Sequence, residues 1–268
     1  MQITVHLNGA AYTALLDQAL DLSLPIDPNG EHPRFFCGEH ASAEALKIGS
    51  FIGDIHAGGS VNAQTLQIVP HCHGTHSECV GHVIGSALPV LRQIKAGLMP
   101  ALLHTVECVF STETQERYIL DSNSDEPLIT RAALPDKQAL IGAEALIIRT
   151  TPNSTSKRTR NYSQHPNYPV LTCEAIEYLA NTDLQHLLLD TPSFDRADDG
   201  GRVYNHKTWW GVGADENIRW PQRGLTEMIF ADDSITDGWY LLDLHLSPLI
   251  SDAVPSRPLL YPLTLQSS

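Results

Sequence analysis

The stretch from Pro70 to Val83 concentrates the side chains that bind metals and transfer protons. It reads Pro-His-Cys-His-Gly-Thr-His-Ser-Glu-Cys-Val-Gly-His-Val and holds four of the thirteen histidines, two of the five cysteines and a glutamate. Imidazole, thiolate and carboxylate groups together suit zinc, and a set with fewer sulfurs also suits manganese. These residue types predict a metal site. The alternative is a surface loop with chance histidines and buried cysteines.

The spacing of these donors indicates how the chain must run to collect them. Four occupy even positions: Cys72, His76, Glu78 and His82. In a strand they would share one face, but its ends would lie about 33 Å apart. Gly74 and Gly81 allow the chain to bend. We therefore expect a folded loop at a strand end, with His71, His73 and Cys79 as surface, supporting or packing residues.

Composition bounds the class of protein. The chain has 268 residues, of which 42% are hydrophobic, and a net charge of −14. This supports a sizeable core and argues against nucleic acid or an anionic membrane as a partner, because both select basic surfaces. Neither a basic-then-apolar leader nor an apolar run of about 18 residues is visible. Five cysteines, an odd number, favour a reducing compartment, so we expect a cytoplasmic protein.

Local patterns predict an α/β arrangement in one domain spanning residues 1–268. Asn8-Gly9 between two apolar runs predicts a hairpin. Thr172 is a candidate helix cap. Strands are expected over 65–69, 101–110, 145–150, 187–189 and 239–246. Helices are expected over 41–47, 172–180 and 223–229, and a basic loop over 151–169.

The span from Cys72 to His82 resembles the signature of a metal-dependent cyclase/hydrolase family, which includes bacterial-type kynurenine formamidases and isatin hydrolases. That signature is His-x-Gly-Thr-His-x-Asp-x-Pro-x-His. The matching residues are Gly74, Thr75, His76 and His82. Three positions depart from it: Cys72 replaces the first His, Glu78 replaces Asp and Val80 replaces Pro.

Further stretches extend the resemblance from about Asp21 to Leu246, which leaves residues 1–20 as an extra hairpin. They are Asp21-Leu22-Ser23, Ser60-Val61-Asn62, Leu146 to Thr150, Leu189 to Ser193 with Asp195, and the distal His206 and Glu227. The resemblance implies a swivelling β/β/α fold, usually a homodimer, with one or two divalent ions.

The resemblance also implies roles for individual residues. Cys72, His76 and Glu78 would bind the first ion. His82, His206 and Glu227 would bind a second ion, with Glu78 able to bridge the two. His82 is alternatively a catalytic proton carrier. A cysteine ligand would favour zinc over manganese. Phe35, Phe36, Asp190 and Ser193 are expected to line the substrate site, although a turn-capping role competes for Asp190.

These observations predict an enzyme that hydrolyses a small amide C–N bond with metal-activated water. The first expectation is arylformamidase activity, which converts N-formylkynurenine to kynurenine and formate in tryptophan catabolism. One alternative is an isatin hydrolase-like enzyme acting on a cyclic amide or lactone. Another is a metal-binding protein without catalysis. A third makes Cys72 or Cys79 a nucleophile.

Overall fold

Seven strands close into a barrel at the centre of the molecule. The computed structural model describes residues 1–36, 40–121, 125–215 and 217–266. Neighbouring strands of the barrel hydrogen-bond in the order β8, β17, β16, β9, β12, β14 and β15, and β15 pairs with β8 again. Strands β9, β12, β14 and β15 run parallel to one another, and the remaining junctions are antiparallel.

The strands follow in chain order: β1 (Gln2–Leu7), β2 (Ala10–Leu15), β3 (Leu20–Asp21), β4 (Ser42–Ala45), β5 (Lys47–Ile48), β6 (Phe51–Ile52), β7 (Gln64–Gln67), β8 (His76–Glu78), β9 (Gly97–Glu107), β10 (Val109–Phe110), β11 (Pro127–Ile129), β12 (Ala145–Thr151), β13 (Val170–Leu171), β14 (His186–Leu189), β15 (Gly224–Glu227), β16 (Gly238–Leu246) and β17 (Ala253–Leu265). The helices are α1 (Val90–Gln93), α2 (Cys173–Ala180) and α3 (Tyr204–Trp210). Short 3-10 turns span Pro70–Cys72, Val80–His82, Ser111–Glu113, Arg131–Ala133 and Thr155–Arg158. None of the helices in the described ranges is long and apolar enough to cross a membrane.

Alternating residues of the central strands belong to two different hydrophobic clusters. On β12, Leu146 and Ile148 pack in the cluster that contains the apolar faces of α2 and α3. Ile147 belongs to the other cluster, with residues of β9, β16 and β17. Because side chains alternate across a strand, the helices cover the outside of the barrel and the second cluster fills its interior. A strand buried on both faces reads as a continuous apolar run, which is why the sequence indicated it.

Several sequence expectations are confirmed. Strands β1 and β2 form the hairpin around Asn8 and Gly9, and they extend the sheet beyond the barrel by pairing with β17. Helix α2 begins after Thr172, whose hydroxyl accepts a 3.1 Å hydrogen bond from the Ala175 amide. The fold is mixed α/β with a closed barrel and few helices, which confirms the predicted fold class. That residues 1–268 form one domain stays a prediction.

Two predicted helices are wrong. The segment 223–229 forms β15, because its backbone pairs with β14 on one side and with β8 on the other. The segment 41–47 contributes β4, which pairs with β7, and the start of β5. Both segments have helix-compatible residues, but pairing with distant strands overrides that weak preference.

A buried polar chain crosses the barrel interior. His186 Nε2 lies 2.7 Å from Thr226 Oγ1, which lies 2.6 Å from Ser77 Oγ, and Ser77 donates to Ser256 Oγ at 2.9 Å. Burial lowers the pKa of His186 from its ordinary value of 6.5 to about 3. The imidazole therefore stays neutral in the folded protein, because an unpaired charge in this interior would be costly.

We expect His186 to make the free energy of unfolding fall as pH falls. Between about pH 6.5 and pH 3 the unfolded chain binds a proton that the folded protein does not, so stability is lost at about 1.4 kcal/mol per pH unit. Chemical denaturation of His186→Leu at pH 4 to 6.5 should show a shallower pH slope than wild type. His6→Gln, at an exposed histidine on β1, should keep the wild-type slope. Equal slopes for His186→Leu and wild type would contradict this account.

Candidate metal centre

Strand β8 brings two of the predicted ligands to the outer face of the barrel. His76 and Glu78 point to one side, and Ser77 points into the interior chain described above. Glu227 on β15 lies directly opposite His76 in the antiparallel register, with His76 Nε2 3.5 Å from Glu227 Oε2. Strand pairing therefore places this imidazole and this carboxylate side by side, although 151 positions separate them in the sequence.

Glu78 is the centre of the cluster. Its side chain is fully buried, and two imidazoles approach its two oxygens. His206 Nε2 lies 3.1 Å from Oε1, and His71 Nδ1 lies 2.9 Å from Oε2. Burial alone would raise the pKa of Glu78, but electrostatic attraction to His82 and His206, together with hydrogen bonds from His206 and His71, holds it well below its ordinary range. Glu78 is therefore a carboxylate, and it requires cationic partners.

His206 is held in place by Asp195. The Asp195 carboxylate accepts hydrogen bonds from the Asn205 and His206 amides at the start of α3 and lies 2.7 Å from His206 Nδ1. Tyr118 donates a further 2.6 Å hydrogen bond to Asp195. Burial would raise the pKa of Asp195, but its hydrogen bond with His206 and that residue's charge lower it. With Nδ1 hydrogen-bonded to Asp195, the ring directs Nε2 at Glu78 and Glu227, where a bound ion would replace the Nε2 proton; this orientation is typical of metal-binding histidines.

Several buried polar atoms of this cluster make close contacts of 2.9–3.7 Å with one another but no hydrogen bond of good geometry among the residues that the structure describes. They are His76 Nε2, His206 Nε2, both carboxylate oxygens of Glu78 and Glu227 Oε1. Buried polar atoms nearly always make well-formed hydrogen bonds, so a convergent set that lacks them requires an explanation. Two imidazole nitrogens and two carboxylates directed at a common volume have the donor chemistry of a divalent-ion site. The residues therefore fit the ion that the sequence predicted.

Three groups of possible ligands have donor atoms within 4.8 Å of one another: His71 with His76 and Glu78; Glu78 with His82 and His206; and His71 with His82 and Asp252. Glu227 adjoins the first two groups through its contacts with His76 and with His206 Nε2, at 3.7 Å. Five of the six predicted metal ligands are thus brought together. None of the three groups, within the described residues, includes the Cys72 sulfur.

The geometry of the Pro70–Cys72 turn explains this outcome. Consecutive side chains of a 3-10 turn point about 120° apart, so His71 and Cys72 leave the turn in different directions, although both line one cavity. Side chains at even positions share a face only where the chain is extended, and the extended segment begins at His76. His71, which the sequence argument had set aside, faces Glu78, whereas Cys72 lies beside it in the wall of a cavity. His73 points elsewhere and accepts a hydrogen bond from the Val69 amide.

Asp252 is a member of the cluster that the sequence argument did not include. One of its oxygens, Oδ2, lies 2.9 Å from His71 Nε2 and 3.6 Å from His82 Nδ1. The rings of His71 and His82 stack, with centroids 4.1 Å apart. Burial would lower the pKa of His71, but the carboxylates of Asp252 and Glu78 raise it to about 10. No local signal marks Asp252, because only the pairing of β17 with β8 brings it here.

A cavity of about 380 Å³ opens against the cluster. His71, His82, His206 and Glu227 form its polar end, and three of the four predicted substrate-lining residues, Phe35, Phe36 and Ser193, also line it. This volume suits a small molecule. Asp190 does not line the cavity: it is fully buried and binds the Lys157 ammonium at 2.7 Å and the Thr150 amide at 2.8 Å. The structure therefore places Asp190 in a supporting position.

Cys79 packs in the barrel interior and donates to the Leu88 carbonyl at 3.2 Å. Burial raises the pKa of its thiol to about 11. Because the thiolate is the nucleophilic form, Cys79 is poorly suited to covalent catalysis at neutral pH.

Comparisons with known proteins identify the family. No curated protein matches the chain. Solved structures that resemble it include a "predicted metal-dependent hydrolase" from Bacillus stearothermophilus, with 17% identity, 91% of this chain and 98% of the other covered, and a TM-score of 0.57. Isatin hydrolase A from Labrenzia aggregata has 15% identity, coverage of 91% and 93%, and a TM-score of 0.58. Isatin hydrolase A from Ralstonia solanacearum has 16% identity, coverage of 91% for each chain, and a TM-score of 0.57. At these identities the likeness shows a shared fold. The family model described as "Putative cyclase" matches residues 20–196, more than half of the sequence, and the chain therefore belongs to the cyclase family.

Proposed function

We propose that the protein is a metal-dependent hydrolase that cleaves the C–N bond of a small amide. The observation that carries this proposal is the convergence of the buried donor atoms of His76, Glu78, His206 and Glu227, which contact one another without well-formed hydrogen bonds, beside a cavity of ligand size. A non-catalytic metal protein would have no need of this cavity. A catalytic metal centre needs a position at which water or substrate can enter.

Those four residues would hold a divalent ion of the zinc or manganese class. When bound, such an ion lowers the pKa of water and polarises a carbonyl oxygen. The sequence-based preference for zinc rested on the Cys72 sulfur, which lies outside the three ligand groups. Imidazole and carboxylate donors alone suit both zinc and manganese, so we propose zinc or manganese without that preference.

His82 is positioned to move a proton during the reaction. It lines the cavity, its side chain is 30% exposed, and Asp252 Oδ2 lies 3.6 Å from its Nδ1. An imidazole at the boundary between the buried donors and the cavity can pass a proton to the leaving nitrogen of an amide. Glu78 and Glu227 have almost completely buried side chains and are better suited to holding charge.

For the substrate, we propose an aromatic formamide, with N-formylkynurenine as the first candidate. Phe35 and Phe36 supply an aromatic wall next to the polar end of the cavity. A flat ring packs favourably against such a wall and would present its amide to the cluster. The second candidate is a cyclic aromatic amide such as isatin, which is favoured by the isatin hydrolases among the structures of the same fold. A homodimer and a cytoplasmic location stay predictions from the sequence and its family resemblance.

Metal content tests the centre itself. We expect wild type, purified and measured by inductively coupled plasma mass spectrometry, to carry about one to two divalent ions per chain, each held by three or four protein ligands. His76→Ala should lose most of this metal, because it removes a buried donor. His245→Ala is the matched control, since His245 is exposed and contacts Asp243 away from the cluster. Unchanged metal content in His76→Ala would contradict the assignment.

A substrate panel tests the reaction class. Metal-loaded protein should release formate from N-formylkynurenine and lose this activity when a chelator removes the ion, with recovery on adding zinc or manganese. Turnover of isatin without turnover of N-formylkynurenine would select the second candidate. Hydrolysis that survives complete metal removal would refute the proposal.

Substitution of Phe36 tests whether the aromatic wall of the cavity binds the substrate. Its side chain is 72% exposed, lines the cavity and does not contribute to the core. Phe36→Ala should raise KM for an aromatic amide several-fold and leave kcat and metal content near wild type, because it removes binding shared by substrate and transition state. Phe110→Ala is the control, since Phe110 is 50% exposed and does not line this cavity. A loss confined to kcat would argue against a binding role.

A further inference from the structure

We propose that His71 takes the ligand position that the sequence had assigned to Cys72, and that Asp252 is its positioning residue. The inference rests on the proposed metal-dependent function and specifies how this chain completes its donor set. His71 lies one position before Cys72, the residue that aligns with the first histidine of the family signature. Asp252 lies outside residues 20–196, which the family model matches.

His71 bridges two carboxylates with its two ring nitrogens. Nε2 lies 2.9 Å from Asp252 Oδ2 within hydrogen-bond geometry, and Nδ1 lies 2.9 Å from Glu78 Oε2. With Nε2 hydrogen-bonded to Asp252, the ring directs Nδ1 at the volume that the other donors surround, where a bound ion would replace the Nδ1 proton. The ring thus has the orientation that a metal-binding imidazole needs.

The same arrangement occurs on the other side of Glu78. There Asp195 lies 2.7 Å from His206 Nδ1, and the opposite nitrogen, Nε2, lies 3.1 Å from Glu78 Oε1. Each oxygen of the central carboxylate therefore faces an imidazole whose far nitrogen contacts an outer carboxylate. This correspondence supports equivalent roles for His71 and His206, and for Asp252 and Asp195.

Backbone pairing fixes Asp252 in this position. It immediately precedes β17, which pairs with β8 so that Ala253 lies opposite Glu78. The Asp252 carbonyl accepts a 3.1 Å hydrogen bond from the Cys79 amide, and the Ser251 hydroxyl donates to Asp252 Oδ1 at 3.1 Å. With its backbone and its second oxygen anchored, the carboxylate can orient the His71 ring.

Measured zinc affinities distinguish a coordination shell that contains His71 from one that contains Cys72. Competition of the protein with a chromogenic chelator for zinc alone gives a dissociation constant for each variant. We expect Asp252→Ala to weaken zinc binding roughly 10- to 100-fold, and His71→Ala to weaken it further. Asp252→Asn, whose amide oxygen can still accept the Nε2 proton, should recover part of the loss. Cys72→Ala should remain within about twofold of wild type.

The matched control is Asp243→Ala, which removes the same type of histidine–aspartate contact at exposed His245 and should leave zinc affinity unchanged. Thermal unfolding of the metal-free variants shows whether each one folds. Zinc X-ray absorption of wild type gives an independent readout that needs no variant: all shells should fit nitrogen or oxygen near 2.0–2.2 Å, without sulfur near 2.3 Å.

Zinc–sulfur scattering, a larger loss in Cys72→Ala than in His71→Ala, or an Asp252→Ala variant that binds zinc like wild type would overturn the inference. Wild type that binds zinc with this pattern but hydrolyses no amide would refute the proposed function and support this shell. Wild type that binds neither zinc nor manganese would overturn both.

Discussion

The ionised carboxylate of Glu78, fully buried on the outer face of the barrel, is the constraint on which the arrangement of the site depends. Removing a carboxylate from water costs several kcal/mol unless opposite charges and hydrogen-bond donors surround it. Strand β8 carries this residue and also closes the barrel, because it pairs with β15 on one side and β17 on the other. The same strand therefore closes the barrel and carries the buried charge, and the elements packed around β8 supply the partners of that charge.

The compensation comes from separate parts of the chain. A 3-10 turn before β8 supplies His71, and α3 supplies His206. The paired strand β15 supplies Glu227, which adds a second buried carboxylate and makes the cluster suited to a cation. Rigid strands and a capped helix hold these donors, which favours a preformed centre. The cavity lies where the donors meet the aromatic residues Phe35 and Phe36, so charge and apolar surface adjoin at one end.

The residues of the site were predictable to the extent that local patterns specify them. The donors between Pro70 and Val83 indicated a metal site, and the family resemblance identified His206 and Glu227. The sequence did not reveal that Pro70–Cys72 is a 3-10 turn, so the even-position argument favoured Cys72 over His71. Asp252 carries no local signal, because its position depends on the register of β17. Strand β17 contains three prolines, which cannot donate a ladder hydrogen bond. Its sequence therefore indicated an irregular C-terminal tail and not a strand.

The central claim is that an ion binds between the imidazoles and carboxylates around Glu78. Anomalous diffraction at the zinc absorption edge, from crystals of zinc-loaded protein, tests it most directly. We expect a strong anomalous peak within coordination distance of a Glu78 oxygen, at roughly 2.0–2.2 Å, with His76, His206 or Glu227 completing the shell. An empty cluster in fully zinc-loaded protein, with the anomalous peak at a surface pair such as His245 and Asp243, would contradict the account.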